Sequence, residues 1–249
     1  MNEKRFDVTA LGELLIDFTE NGVSAQKNSM FEACPGGAPC NVLAMLRKLG
    51  RSCAFIGKVG DDMFGRQLRD AIRSAGIDDC ALVTDPRVNT TLAFVKKLPN
   101  GDRDFSFYRS PGADMMLEPG DVPPGLIEES RIFHFGTLSM TAPGCRTATE
   151  TAVSIAKESG CLISFDPNLR MPLWDSTDAL RSAVSFGIRH CDILKLADNE
   201  AEWLFGSRDY EKTARELGNL KKSEQEKLEQ SVQSGREEKA ASRTEAEKA

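Results

Sequence analysis

The sequence has few of the residues that usually bind zinc or nucleic acid. It contains two histidines, His134 and His190, and its seven cysteines are scattered without a CxxC pair, so a zinc site is not expected. No strongly basic stripe offsets the net charge of −6, which argues against a nucleic-acid partner because phosphates require positive charge.

Segments that would address the chain to a membrane are also lacking. No apolar run is long enough to span a bilayer, and residues 1–6 lack the apolar stretch of a signal peptide, so no membrane partner is expected. Most cysteines lie in apolar surroundings and their number is odd, which is typical of small core residues in a reducing compartment. We therefore expect a cytoplasmic protein.

What is present is the alternation of an α/β protein. From residue 132 onward, strand-like and helix-like segments follow one another as far as residue 205. Such alternation predicts a doubly wound, mostly parallel sheet, in which ligands gather beyond the carboxyl ends of the strands. Earlier, residues 6–11 and 14–18 form two short apolar runs that predict strands.

Two further stretches differ from this alternation. Residues 91–97 and 103–109 flank Pro99-Asn100-Gly101-Asp102, a strong hairpin signal, and a hairpin between α/β units predicts a small separate sheet. Residues 221–249 carry seven basic and seven acidic residues and almost no large apolar ones. We expect this segment to be a disordered tail, with a solvated helix as the alternative.

Gly36 and Gly37 stand directly before an apolar run at helical spacing. Glycines let the backbone approach a ligand, and a helix that begins there presents free N–H groups to it. An ordinary strand-to-helix turn is the alternative, and the local sequence leaves both open. Asp17 lies inside an apolar run, where a carboxylate is out of place unless it meets a ligand or partner.

Several ordered motifs, taken together, resemble one enzyme family. They are GELLIDF (12–18), GGAPCN (36–41) followed by Gly50 and Gly60, FIGKVGDDMFG (55–65), FSFYR (105–109) and DPNLRMPLW (166–174). Over about residues 6–220 the sequence resembles PfkB-type carbohydrate kinases of the ribokinase-like superfamily, and fructokinases most closely. Leu43 departs from the family pattern, which has a small residue at that position.

The resemblance implies a ribokinase-like doubly wound sheet with a small β-sheet lid, built from about residues 12–35 and 90–110. It implies phosphorylation of a sugar hydroxyl by ATP with Mg²⁺, with fructose as the first candidate acceptor and fructose 6-phosphate as product. A kinase for ketodeoxygluconate or ribose and a non-catalytic sugar-binding protein are the alternatives. A homodimer formed through the lid is also implied.

The same resemblance assigns roles to the sugar site. Asp17 and Asn41 are expected to hydrogen-bond sugar hydroxyls, while Gly36 and Gly37 let the backbone approach the ring. Arg109 is expected to reach the sugar from the lid hairpin, with a solvated strand arginine as the alternative.

Two further assignments concern the transferred phosphate and the metal. Asn168 and Arg170 are expected near the sugar and the phosphoryl group, where a guanidinium suits phosphate oxygens, unless they only form a strand-to-helix turn. Glu200 falls where the family carries a magnesium and phosphate motif. The register that uses Asn199 and Glu202 is also possible, and acidic residues at a helix start can be dipole partners only.

One family motif is missing from the sequence. The family's C-terminal Gly-Ala-Gly-Asp motif supplies the anion hole and the catalytic aspartate, and neither 206–209 nor 235–238 matches it. We therefore expect an incomplete kinase domain over residues 1–220, no identifiable catalytic residue, and little or no activity. An incomplete sheet also exposes an edge, which predicts marginal stability or self-association.

Overall fold

The computed structural model describes residues 4–98 and 103–220. The predicted hairpin turn at 99–102 and the predicted tail at 221–249 lie outside these residues. The chain divides into two compact units, Met1–Lys195 and Leu196–Ala249.

Ten strands form two sheets in the first unit. In chain order they are β1 (Phe6–Leu11), β2 (Leu15–Val23), β3 (Ser29–Gly36), β4 (Cys53–Gly60), β5 (Asp78–Asp85), β6 (Leu92–Lys97), β7 (Arg103–Tyr108), β8 (Ser130–Gly136), β9 (Leu162–Asp166) and β10 (Ile193–Leu194).

The first sheet has six strands in the order β10-β9-β8-β1-β4-β5, and every pairing in it is parallel. This confirms the predicted fold class. All eight residues of β4 are buried, as expected for a strand covered on both faces of a parallel sheet. The chain builds β4 and β5 on one side of β1 and later returns to build β8, β9 and β10 on the other. The switch in strand order therefore lies at β1, where ligands bind in open α/β sheets.

The second sheet has four strands in the order β3-β2-β6-β7. The pairs β2–β3 and β6–β7 are antiparallel, whereas β2 and β6 are parallel, so the sheet is mixed and separate, as the hairpin predicted. The register places Asp17, Phe105 and Phe107 on one face. Phe18 and Phe94 lie on the opposite face, where their rings stack 4.9 Å apart.

In the part of the chain that the structure describes, seven α-helices connect or follow the strands. They are α1 (Ala38–Lys48), α2 (Met63–Ser74), α3 (Pro124–Glu128), α4 (Pro143–Glu158), α5 (Thr177–His190), α6 (Asp198–Phe205) and a helix over 210–220, here α7.

The ends of α2 show how local signals set the bounds of a helix. Asp62 Oδ1 accepts hydrogen bonds from Phe64 N and Gly65 N at the start of α2, which makes Asp62 its capping residue. Gly76, just beyond the end of α2, has a φ of 75°, which favours glycine. Among the helices of the described ranges, none has the length and apolar character needed to cross a bilayer.

Candidate active site

Four loops of the first unit meet at the carboxyl ends of β1, β8 and β9. They follow β1, β8 and β9, and the fourth joins β3 to α1. Residues from all four line a narrow crevice: Glu13, Ala38, Pro39, His134, Gly136, Thr137, Leu138, Asp166 and Asn168. The crevice lies at the switch point of the sheet, so the topology places it where a ligand site is expected.

Asp17 and Gly36 are brought into contact by the pairing of β2 with β3. Leu15 pairs with Gly36, so the side chain of Asp17 lies diagonally across from the glycine. A Cβ atom on Gly36 would lie 3.0 Å from Asp17 Cγ and would overlap Oδ2. A side chain at this position would therefore displace the carboxylate. Two residues predicted to bind sugar therefore lie side by side.

Gly37 joins β3 to α1 in a conformation that favours glycine, with a φ of 121°. A Cβ atom there would lie 3.2 Å from Leu14 Cα and would overlap the carbonyl oxygen of Glu13. The side chain of Asn41, one turn into α1, is exposed and lines a groove together with Gly36 and Leu14. The structure thus gathers Gly36, Gly37 and Asn41 around the start of α1.

Glu13 is a buried carboxylate that the sequence analysis did not assign to the site. It is 3% exposed, and its Oε1 accepts a hydrogen bond of 2.7 Å from Ala38 N, the first residue of α1. Burial raises the pKa of Glu13 to about 7, above the ordinary 4.5. The one sequence signal for the burial of Glu13 is its place between two apolar runs, where a side chain has little access to solvent.

Arg109 follows β7 and is buried, so the alternative of a solvated arginine is wrong. Its Nη2 lies 2.7 Å from Asp114 Oδ2, which also accepts a hydrogen bond from Nε. Nη1 donates to Thr141 Oγ1 at 2.8 Å and Nη2 to Leu138 O at 2.9 Å. Arg109 therefore joins the end of the second sheet to the loop after β8. Its predicted contact with sugar stays a prediction.

Asn168 and Arg170 lie in the loop after β9. Asn168 has a φ of 45°, and its backbone N donates to Asp166 Oδ1 at 3.2 Å. Asp166 also pairs with Lys195, whose Nζ lies 3.1 Å from Oδ2. The guanidinium of Arg170 lies 5.7 Å from the centroid of the Phe105 ring, on the face of the second sheet that carries Asp17. Asn168 thus lies in the crevice with Glu13, and Arg170 contacts the second sheet.

Comparison with known proteins identifies the family of the chain. The model for the pfkB family of carbohydrate kinases matches residues 5–234. The chain belongs to this family. Probable fructokinase-2 of Arabidopsis thaliana is 43% identical to this PfkB chain over 203 residues, which cover 81% of the chain. The matched part is 62% of the length of the Arabidopsis protein, so the chain spans less than two thirds of that relative.

Solved fructokinase structures share the fold. Fructokinase from Xylella fastidiosa with bound ATP has a TM-score of 0.77 and 31% identity to this PfkB chain, and the match covers 87% of this chain and 70% of the other. A double mutant of fructokinase from Vibrio cholerae O395, in the form bound to fructose, ADP and potassium ion, has a TM-score of 0.77 and 28% identity. That match covers 88% of this chain and 69% of the other.

Glu200 lies in the second unit of this PfkB chain, where its Oε2 accepts a hydrogen bond from Ala197 N at 2.8 Å. This contact caps the start of α6, as the dipole alternative expects. Glu202, from the alternative register, pairs with Arg208 at 2.7 Å. Within 4–98 and 103–220, no three His, Cys, Asp or Glu side chains cluster in a way that could hold a metal. The assignment of Glu200 to Mg²⁺ therefore stays a prediction, and no step is derived through the ion.

Proposed function

We propose that this PfkB chain binds fructose as the acceptor of a fructokinase-like phosphoryl transfer from ATP. The observation that carries the proposal is the contact between Asp17 and Gly36 beside the start of α1. A carboxylate accepts hydrogen bonds from neighbouring hydroxyls, and a bare glycine leaves room for a sugar ring. The fructose-bound Vibrio cholerae structure supports the choice of sugar.

The remaining site residues take roles that suit their positions. We assign Asn41 to sugar hydroxyls because its exposed side chain shares a groove with Gly36. We assign Asn168 to the sugar as well, since it lines the crevice at the switch point. The guanidinium of Arg170, held near Phe105, is assigned to phosphate oxygens, which it can contact through parallel N–H donors.

Phosphoryl transfer by the 249 residues alone is proposed to be slow. No Gly-Ala-Gly-Asp motif occurs in the sequence, so the anion hole and the catalytic aspartate of the family have no counterpart in it. Loss of one such group typically costs about 3–4 kcal/mol of transition-state stabilisation. The Xylella fastidiosa structure with ATP supports ATP as the phosphate donor, and we propose no step that uses residues outside this chain.

Isothermal titration calorimetry with fructose, ribose and ketodeoxygluconate tests the substrate. We expect the tightest binding for fructose, and Asp17→Asn is expected to weaken it at least about tenfold because a hydrogen-bonded charge is lost. Glu20→Gln is the matched control, since Glu20 belongs to the same strand, bonds Ser29 and lies on the opposite face. Tighter binding of another sugar, or equal losses in both variants, would contradict the proposal.

A coupled assay of ADP release tests catalysis separately. We expect fructose binding by calorimetry together with little or no fructose-dependent ADP release from the 249-residue chain. Robust turnover would show that these residues suffice for phosphoryl transfer. Sugar binding in calorimetry without any ATP binding would instead favour a sugar-binding protein.

We also propose that the protein works in the cytoplasm and that the second sheet acts as a lid. Two chains are proposed to form a dimer through this sheet. Phe31 and Tyr108 are 41% and 66% exposed, and both rings contact Phe94 on the same face of the sheet. An apolar face of this kind favours association. Sedimentation velocity should show a dimer for the wild type and a monomer for Tyr108→Glu. A monomeric wild type at high concentration would exclude this interface.

A further inference from the structure

The strongest unassigned feature of the site is Glu13, which connects two of its loops. It follows β1, the strand at which the sheet order switches, and its Oε1 accepts the 2.7 Å hydrogen bond from Ala38 N. The first N–H groups of a helix have no partner within the helix, and Gly37, which precedes Ala38, has no side chain to cap them. Glu13 therefore supplies the cap of α1 from a distant part of the sequence.

The backbone of Glu13 fixes the same loop from a second side. Gly37 packs so closely against the carbonyl group of Glu13 that no Cβ atom fits between them. Side chain and backbone thus hold two consecutive residues, Gly37 and Ala38, which directly follow Gly36. A small displacement of a binding loop reduces affinity strongly, because hydrogen bonds to a ligand depend on distance and angle.

We propose that Glu13 is a positioning residue that holds the Gly36–Gly37 loop in its sugar-binding geometry, so that the affinity for sugar follows the charge on its carboxylate. This inference rests on the proposed function, since it concerns the same sugar pocket. An ionised carboxylate accepts a hydrogen bond from Ala38 N about twice as strongly as a neutral group does. This hydrogen bond is accordingly strongest when Glu13 is charged.

Charged and titratable groups from five elements surround Glu13. They are Arg109 after β7, Asp114 in the turn that follows it, Cys40 in α1, His134 in β8 and Asp166 at the end of β9.

Of Glu13, Cys40 and His134, Glu13 is the group that changes charge near neutral pH. Burial raises the pKa of Cys40 to about 12 and lowers that of His134 to about 4, so neither titrates between pH 6 and 8. Asp114 forms an ion pair with Arg109, and Asp166 forms one with Lys195. With a pKa of about 7, Glu13 itself passes from mostly neutral to mostly charged in this interval.

The backbone amide of Ala38 reports on this contact without any sugar. In ¹H–¹⁵N spectra of the 249-residue chain, we expect the Ala38 resonance to titrate between pH 6 and 8 in the wild type and to stay fixed in Glu13→Gln. Asp62→Asn is the matched control, because Asp62 also caps a helix but belongs to α2. This control should leave the Ala38 titration unchanged. An Ala38 amide that does not titrate in the wild type would overturn the proposal even if Glu13→Gln failed to fold.

Fructose affinity at pH 6 and pH 8 separates positioning from a purely structural role. Fructose carries no group that ionises in this range, so we expect wild-type binding about three- to tenfold weaker at pH 6, as the charged hydrogen bond is lost. Folded Glu13→Gln should bind weakly at both values, without pH dependence. Wild-type affinity for Glu13→Gln at both values would overturn the proposal. If the wild type binds no sugar while Ala38 titrates, the proposed function and the affinity claim fail, and the loop contact stands.

Discussion

The carboxylate of Asp17 occupies the space that a Cβ atom on Gly36 would fill, diagonally across the antiparallel pair of β2 and β3. The position of the Asp17 carboxylate depends on the missing side chain of Gly36. The glycine has no side chain, so the carboxylate can occupy the space beside it, and this carboxylate faces the side of the sheet that also carries Phe105. The sugar-binding role proposed for Asp17 therefore depends on the backbone of a residue in the next strand.

Gly36→Ala tests this dependence. The added methyl group would overlap Asp17 Oδ2, so the carboxylate must rotate away, and we expect the Kd for fructose to rise at least about tenfold. Overpacking of this kind also lowers the free energy of unfolding by about 1–3 kcal/mol. Gly120→Ala is the control, because open space surrounds Gly120, and it should change neither property. Calorimetry and urea unfolding measure the two effects, and unaltered affinity in folded Gly36→Ala would contradict the geometry.

The Arg109–Asp114 pair is expected to be one of the strongest determinants of stability. Both side chains are buried, so Asp114→Ala leaves an uncompensated guanidinium charge, which typically costs about 3–5 kcal/mol. Asp61→Ala breaks the exposed pair with Arg66, whose closest atoms are 3.5 Å apart, and should cost less than about 1 kcal/mol. Urea unfolding monitored by circular dichroism compares the two variants. Similar losses would mean that the buried pair is solvated in solution.

Features of the fold that depend on nearby residues could be predicted from the sequence, and those that depend on a distant neighbour could not. The bounds of α2 follow from Asp62 before it and Gly76 after it, and both signals are local. The apolar pattern over 193–196 predicts a strand of four residues, but β10 ends at Leu194. β10 pairs with β9 alone in the described sheet, and no local sequence pattern specifies how far such one-sided pairing extends.

The candidate site shows the same limit. Asp17 is visible in the sequence because a carboxylate interrupts an apolar run. Glu13 resembles a turn residue in the sequence, since its burial arises only when α1, β8 and the loop after β9 close around it. Arg109 could not be distinguished from a solvated arginine until the fold brought Asp114 and Thr141 to it.

His134 is expected to reduce stability in mild acid. Burial lowers its pKa to about 4 from 6.5, so the unfolded chain binds this proton more readily than the folded chain does. Stability from this residue is complete above pH 6.5 and is lost as the pH falls through 4. For a pKa shift of this size the loss is at most about 3 kcal/mol, and it should be absent in His134→Gln. Urea unfolding from pH 4 to 7 measures the difference, and parallel curves for the variant and the wild type would show that His134 is protonated in the folded state.

Glu13 is expected to change stability with pH in the direction opposite to that of His134. Its folded pKa of about 7 lies above the ordinary 4.5, so the folded chain retains a proton that the unfolded chain releases. The resulting stability is complete below pH 4.5 and is lost as the pH rises through 7, by at most about 3 kcal/mol.

Glu13→Gln cannot ionise, so the wild-type free energy of unfolding minus that of the variant should fall between pH 4.5 and 8. Glu129→Gln, at an exposed glutamate, should give a flat difference. A flat difference for Glu13→Gln as well would mean that the carboxylate is charged in the folded protein throughout this range. The position of the Gly36–Gly37 loop could then not respond to pH near neutrality, because the charge that holds Ala38 N would be constant.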